Sequence, residues 1–283
     1  MLVMDDTRLA EVTRRLRARA DGILAAAWFM PEARTGYPAI DLPPAEAGLA
    51  SRAACLGAVR GEAVAALFAP INPAHVTRAL DAAWPVTTPD DLLDARLTAA
   101  TGHLANVLGP EPEGIDRALE LLMPAAIATP AEGHPVYAGL RAIGFPGSPL
   151  GDLWRACDLV RERRGDSHRN AWVTAGFDPV EINVLTELWR GVPVGSVTTN
   201  QMGWTVPDCT AALARLAETG LVAAGELTDE GRSARDEIER ATDRQERALA
   251  EALGASAEEL FALLDPWARA VVTSGPLPWE DTA

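Results

Sequence analysis

A mainly α-helical protein with a winged helix-turn-helix towards its C-terminus is what the sequence predicts, on three observations. Alanine, leucine and arginine abound while runs of β-branched residues are rare, which favours helix over strand. Apolar residues make up 48% of the 283 residues, enough to bury a sizeable core. The stretch from Phe177 to Gln245 reads as helix, helix, turn, helix, two short extended pieces and a further helix. In that stretch Glu181 to Arg190, Gly195 to Met202 and Pro207 to Thr219 are the expected helices, with Gly203-Trp204 as the turn. Leu221–Ala224 and Leu227–Thr228 are the expected wing strands, joined at Gly225-Glu226, and a long polar helix is expected over Asp229 to Leu253.

Upstream, Thr7 to Ala27 reads as an amphipathic helix with Leu9, Val12, Leu16 and Ala20 on one face. Its arginines Arg14, Arg15, Arg17 and Arg19 fit a solvated face paired with acids better than a phosphate patch. An aromatic corner, Trp28-Phe29-Met30, follows, then a Gly/Pro loop over Thr35 to Pro44. Helices are expected over Ala45 to Val59, Glu62 to Phe68, Ala74 to Trp84, Pro89 to Leu108, Ile115 to Ala126 and Val136 to Ile143. A strong helix from Asp152 to Arg164 is expected to break at Gly165-Asp166-Ser167-His168 and resume through Val173, and Ala257 to Val272 closes the fold. This gives an N-terminal helical domain over 1–150, a winged domain with flanking helices over 151–274 and a flexible tail over 275–283.

The charge is one-sided. Lysine is absent, and 25 arginines face 40 acids for a net charge of −15. Such a chain is repelled by phosphate backbones and anionic lipids and could favour a cationic small molecule or a basic partner, but plain solubility is the better account of the charge. The three cysteines are scattered without CxxC spacing and read as thiols of a reducing, cytoplasmic compartment. No signal peptide and no apolar run of spanning length is visible, so no membrane partner is expected.

Function is read from residue types. A base-reading helix needs Arg, Lys, Asn or Gln on its exposed face. The third helix of the winged stretch offers Asp208, Thr210, Ala211, Ala214, Arg215 and Glu218, one cation among acids, and its wing carries Glu226. DNA is therefore not the expected partner. The expected chemistry lies at Asp166 and His168, where a glycine turn would bring the pair into one cavity and the aspartate would hold the imidazole for acid–base work. Arg52 and Arg161 would bind an anionic group, Glu46 or Asp41 an amine, and Trp28 would line the pocket. A capping aspartate and a hydrogen-bonded core histidine are the bland alternative. His75, His103 and His134 stand apart with no HxH or HExxH spacing, and no dinucleotide, P-loop or nucleophile-elbow motif occurs, so neither metal nor cofactor is expected.

Several stretches together resemble an actinobacterial helix-turn-helix family in which a MarR-like winged helix is fused to an N-terminal helical domain. They are Trp28 to Arg34, Ser51 to Gly57, Ala79 to Trp84, Leu159 to His168 and Leu227 to Arg232, and the likeness covers almost the whole chain. The resemblance implies the mainly helical fold, with the general activity of the family unsettled. Against that family Leu24 stands where a histidine is usual, and Leu67-Phe68-Ala69 where Phe-Tyr-Asn is usual, which implies a different ligand or a specialised member. The expected function is a cofactorless enzyme of specialised metabolism that handles a small molecule by cyclisation or elimination of an amine-bearing intermediate. The alternatives are a ligand-responsive transcriptional regulator and a non-catalytic partner protein; a homodimer through the long polar helix is also expected.

Overall fold

The structure, a computed structural model, describes residues 4–30 and 32–275. In chain order the helices are α1 (Asp6–Leu24), α2 (Ala26–Phe29), α3 (Glu32–Thr35), α4 (Pro44–Ala53), α5 (Gly61–Leu67), α6 (Pro73–Ala83), α7 (Pro89–Leu108), α8 (Ile115–Ala126), α9 (Pro135–Ile143) and α10 (Pro149–Thr174). Then come α11 (Pro179–Arg190), α12 (Val206–Glu218), the strands β1 (Val222–Ala223) and β2 (Glu226–Leu227), and α13 (Asp229–Gln245), α14 (Arg247–Leu253) and α15 (Ala257–Val272). The expected mainly α class with a short two-stranded wing is what the structure has. The flexible tail expected from residue 275 lies, from 276 on, outside the described residues, as do the side chains of Trp28 and Phe29. Among the described residues no helix is long and apolar enough to cross a membrane.

The chain forms two compact units that do not follow the expected cut at residue 150. Unit 1 takes residues 1–59, 79–166 and 243–283; unit 2 takes 60–78 and 167–242. The cut fails because α10 and α13 each run on through a unit boundary, and because residues 60–78 are tied into the winged stretch. Within unit 2 the backbone nitrogen of Asn72 donates to Met202 O at 2.8 Å, and the Trp204 indole donates to Pro70 O at 2.8 Å.

In unit 1, α1 is capped by Asp5, whose carboxylate accepts from Arg8 N, and it buries Leu9, Val12, Leu16, Ala20 and Ile23 at helical spacing. That stripe packs on α15, which buries Leu260, Phe261, Leu264 and Val271. Gly22 lets the two backbones close up, since a Cβ there would lie 2.8 Å from Ala268 Cβ. The arginines of α1 are paired with acids: Arg15 with Glu11 and Glu258, Arg17 with Asp21, and Arg19 with Asp265.

Unit 2 buries Trp172, Val180, Ile182, Val184, Leu185, Cys209, Ala212, Leu216, Val222 and Ile238 around α11 and α12. Both helices begin with capping boxes, Asp178 with Glu181 and Thr205 with Asp208, so their N-terminal amides are satisfied by sequence-local acceptors. Gly231 admits Leu221 O to where a side chain would stand, 2.1 Å from a notional Cβ, and this lets α13 meet the start of the wing.

Four local expectations are corrected. The helix expected over Gly195 to Met202 is a run of turns, because the buried Glu187 carboxylate draws the Gly195, Val197 and Thr198 amides towards itself. The wing turn is Ala224-Gly225, both with positive φ (51° and 82°), which leaves Glu226 in β2 opposite Ala223. The break expected at Gly165 is absent and α10 is one helix of 26 residues. A mid-helix glycine costs only about 1 kcal/mol, and the buried Glu162, Arg163, Arg164 and Asp166 around it are held by partners. The polar helix expected through Leu253 ends instead at Gln245, whose carbonyl accepts from Arg163 Nη2 at 2.9 Å, and restarts as α14.

Candidate functional site

A buried polar layer crosses unit 1, built from α4, α7 and α10. On α10 the residues Arg155, Asp158 and Glu162 recur at helical spacing and are all buried, so one stripe of the helix carries charge into the core. Glu162, 1% exposed, receives Arg52 from α4 in a fork, Nε to Oε1 and Nη2 to Oε2, each at 2.7 Å. Burial works against the Arg52 charge, and Glu162 outweighs it, so that guanidinium holds its proton more tightly than usual. Removing Arg52 costs about 3–5 kcal/mol, because the Glu162 carboxylate left behind is 1% exposed and has no water to turn to.

The rest of the layer is less evenly matched. Arg96 of α7 brings Nη2 to 3.6 Å from Asp158 Oδ1, an ion pair longer than a hydrogen bond, and its guanidinium lies 5.8 Å from the Trp154 ring centre. Arg155 is 5% exposed, and among the described residues its Nε and Nη1 have no hydrogen-bond acceptor and Asp158 Oδ1 has no donor. Burial pushes the Arg155 guanidinium down from its ordinary range, with Asp158 opposing. Ser51 accepts from the Tyr37 hydroxyl at 3.2 Å, and burial pushes that phenol up, against a downward pull from Ser51. Ser51, Arg52, Arg96, Trp154, Arg155 and Asp158 line a cavity of about 10 Å³ together with Leu93, Leu97 and Leu140.

The expected site residues are dispersed. Arg52 lies in this layer, spoken for by Glu162. Asp41 is exposed, Glu46 and Arg161 are half-buried, and the Trp28 side chain is outside the described residues. Asp166, 1% exposed, accepts from the Tyr137 backbone amide at 3.0 Å and so caps the first turn of α9. His168 is half-buried and meets Thr242 Oγ1 through Nδ1 at 3.3 Å. The Thr242 hydroxyl already donates to Ile238 O at 2.7 Å, so the imidazole nitrogen is the donor in that contact. Asp166 and His168 were to share one cavity through a glycine turn; on the unbroken α10 they leave the axis about 200° apart. Glu162, Asp158 and Arg96 were not singled out from sequence. Charged residues repeating every three or four positions on α10 among Leu153, Trp154, Cys157 and Val160 were the available signal.

Among the described residues no group of three or more His, Cys, Asp or Glu side chains is placed to hold a metal ion. Three histidines have separate partners: His75 meets Arg78, His103 meets Ser274, and His134 meets the Glu132 carbonyl.

The second place of interest is α12 in unit 2, at the position of a base-reading helix. Its one cation, Arg215, is held by two acids at the start of α11, Nε to Glu181 at 2.6 Å and Nη2 to Asp178 at 2.5 Å. The rest of its exposed face is Val206, Pro207, Thr210, Ala211, Ala214, Ala217 and Glu218, with Val206 at 70% exposure. Asp208 is engaged in the cap with Thr205. Glu218, Glu226, Asp229 and Glu230 are exposed along the end of α12, the wing and the start of α13.

The sequence profile of a helix-turn-helix family matches residues 13–278. No curated protein matches the chain. No solved structure matches it either.

Proposed function

The chain belongs to a helix-turn-helix family, and on that premise we propose that its winged unit meets a basic protein surface rather than the bases of DNA. The observation that carries this reading is the state of Arg215, the one cation of α12, which Asp178 and Glu181 neutralise. Releasing it for a base edge would leave two carboxylates facing the phosphates. Unit 2 as a whole has eight arginines against twelve acids, so its field repels a duplex. Phosphate-bound proteins draw affinity from several cationic contacts that release counterions, and α12 itself has none to spare. The same features suit a cationic polypeptide: Val206, Ala211, Ala214 and Ala217 are exposed along α12, and Glu218, Glu226 and Glu230 are exposed at its end, in the wing and at the start of α13.

A second reading, a ligand-responsive transcriptional regulator, is favoured by the family itself and by the order of helices and wing in unit 2. The enzyme reading loses its geometric support, because cyclisation or elimination was to rest on Asp166 and His168 in one cavity. Selection from a random duplex pool at low salt separates the first two readings. The protein-contact reading expects no enriched sequence. An enriched sequence whose binding is lost in Arg215→Ala overturns it in favour of the regulator.

A further inference from the structure

We propose that the cavity at Arg155 holds one monovalent anion of halide size inside unit 1. This stands apart from the reading of the winged unit, since every lining residue belongs to unit 1.

The argument begins with charge. The layer contains three guanidinium groups, Arg52, Arg96 and Arg155, and two carboxylates, Asp158 and Glu162. A guanidinium does not give up its proton in a protein. Arg52 and Glu162 satisfy each other, and Arg96 and Asp158 form the second, longer pair. Asp158 bears on Arg155 as well as on Arg96, so the layer keeps one positive charge in excess, and among the described residues Arg155 Nε and Nη1 have no hydrogen-bond acceptor. A buried cation with two idle donors is an unfavourable arrangement unless something accepts from it.

Size narrows the class. About 10 Å³ of space for the centre of a water-sized guest leaves room for one water or one monatomic ion and for no organic molecule. Chemistry narrows it further. A water could donate to Asp158 Oδ1 and accept from Arg155, yet it would leave the positive charge in place. A single anion cancels that charge and accepts from Arg155, and Arg96 lines the same cavity. Asp158 opposes an anion, and Arg96 on its own carboxylate weakens that opposition. The remaining wall, Leu93, Leu97, Leu140 and Trp154, offers no hydration, which favours weakly hydrated chloride or bromide over fluoride.

The test is thermal unfolding of the full chain in sodium chloride, bromide, fluoride and gluconate at matched ionic strength, since gluconate screens charge but cannot enter. The midpoint is expected to rise with each tenfold step in chloride or bromide, as for any ligand that binds only the folded state, and to stay level in fluoride and gluconate. Arg155→Met is expected to abolish the halide dependence. Crystals soaked in bromide supply a readout that does not rely on the variant folding: an anomalous peak within hydrogen-bond distance of Arg155 supports the proposal. Equal midpoints in chloride and gluconate, or a halide dependence that survives in Arg155→Met, or a cavity without an anomalous peak, overturns it in favour of a water.

Discussion

Glu187 Oε1 lies 2.8 Å from the backbone nitrogen of Thr198, in the segment where a helix-turn-helix expects its second helix. The same oxygen accepts from Val197 N at 2.7 Å, and Oε2 accepts from Gly195 N at 2.8 Å. One buried carboxylate thus supplies acceptors that a helix would have drawn from its own backbone. Gly195, with φ of 92°, allows the chain to turn its amides inward.

Replacing Glu187 with Gln leaves one oxygen for three amides and adds donors where none are wanted. A charged hydrogen bond is worth about 1.5–3 kcal/mol, and the Glu187→Gln loss is expected near the upper end of that range. Hydrogen exchange should localise it: the amides of 195, 197 and 198 lose protection first, while the α1–α15 pair keeps its own. Uniform loss of protection across the chain would show that the carboxylate does not act locally.

How much of this was legible beforehand depends on the range of the forces involved. α15 was read to its exact ends, because the apolar spacing of Leu260, Leu264 and Val271 is local information. The capping acids Asp178 and Asp208 sit three residues from their partners and carry the same kind of signal. Glu187 organises residues eight to eleven positions away through backbone amides, which no side-chain pattern announces. Gly165 looked like a break because propensity disfavours it; what keeps it helical is Arg52 reaching Glu162 from 110 positions away and Arg164 reaching Asp243 from 79. Arg52 stood out for its residue type, while its partner on α10 did not, since pairing across that distance is set by the fold.

Asp166 and His168 make opposite demands on the next experiment. Asp166→Ala removes the acceptor of a buried amide at the start of α9, and a lost cap of this kind costs about 1–2 kcal/mol. Asp166→Asn keeps an oxygen and is expected to recover most of that loss. His168→Ala removes the 3.3 Å contact with Thr242 at a half-buried position, for an expected loss of about 1 kcal/mol. Urea unfolding of the three variants decides the matter. If Asp166→Asn proves as damaging as Asp166→Ala, the carboxylate charge matters for something other than capping.

Cys55 ties thiol chemistry to folding. Burial, reinforced by the nearby Asp158 and Glu162 charges, pushes its thiol up to about 12 from an ordinary value of 9.0. Its Sγ also contacts the Arg52 and Val136 carbonyls at 3.5 and 3.8 Å, so the site favours the protonated form. Burial pushes the Cys157 thiol up too, and likewise that of Cys209. At pH 8 the thiolate needed for reaction with a disulfide reagent is scarce in the native protein. Labelling is expected to be slow and to accelerate sharply on adding denaturant, when all three thiols return to ordinary values. The sign of the pH effect follows. A folded-state value above the unfolded one gives stability that is complete below pH 9 and drains away as the pH rises towards 12, because the unfolded thiol ionises first. Urea midpoints measured at intervals from pH 8 to 11 should fall across that window, and Cys55→Ser should flatten part of the fall. Rapid labelling of native protein at pH 8, with the midpoint level to pH 11, would place Cys55 in a wetter setting than the contacts with Arg52 and Val136 describe.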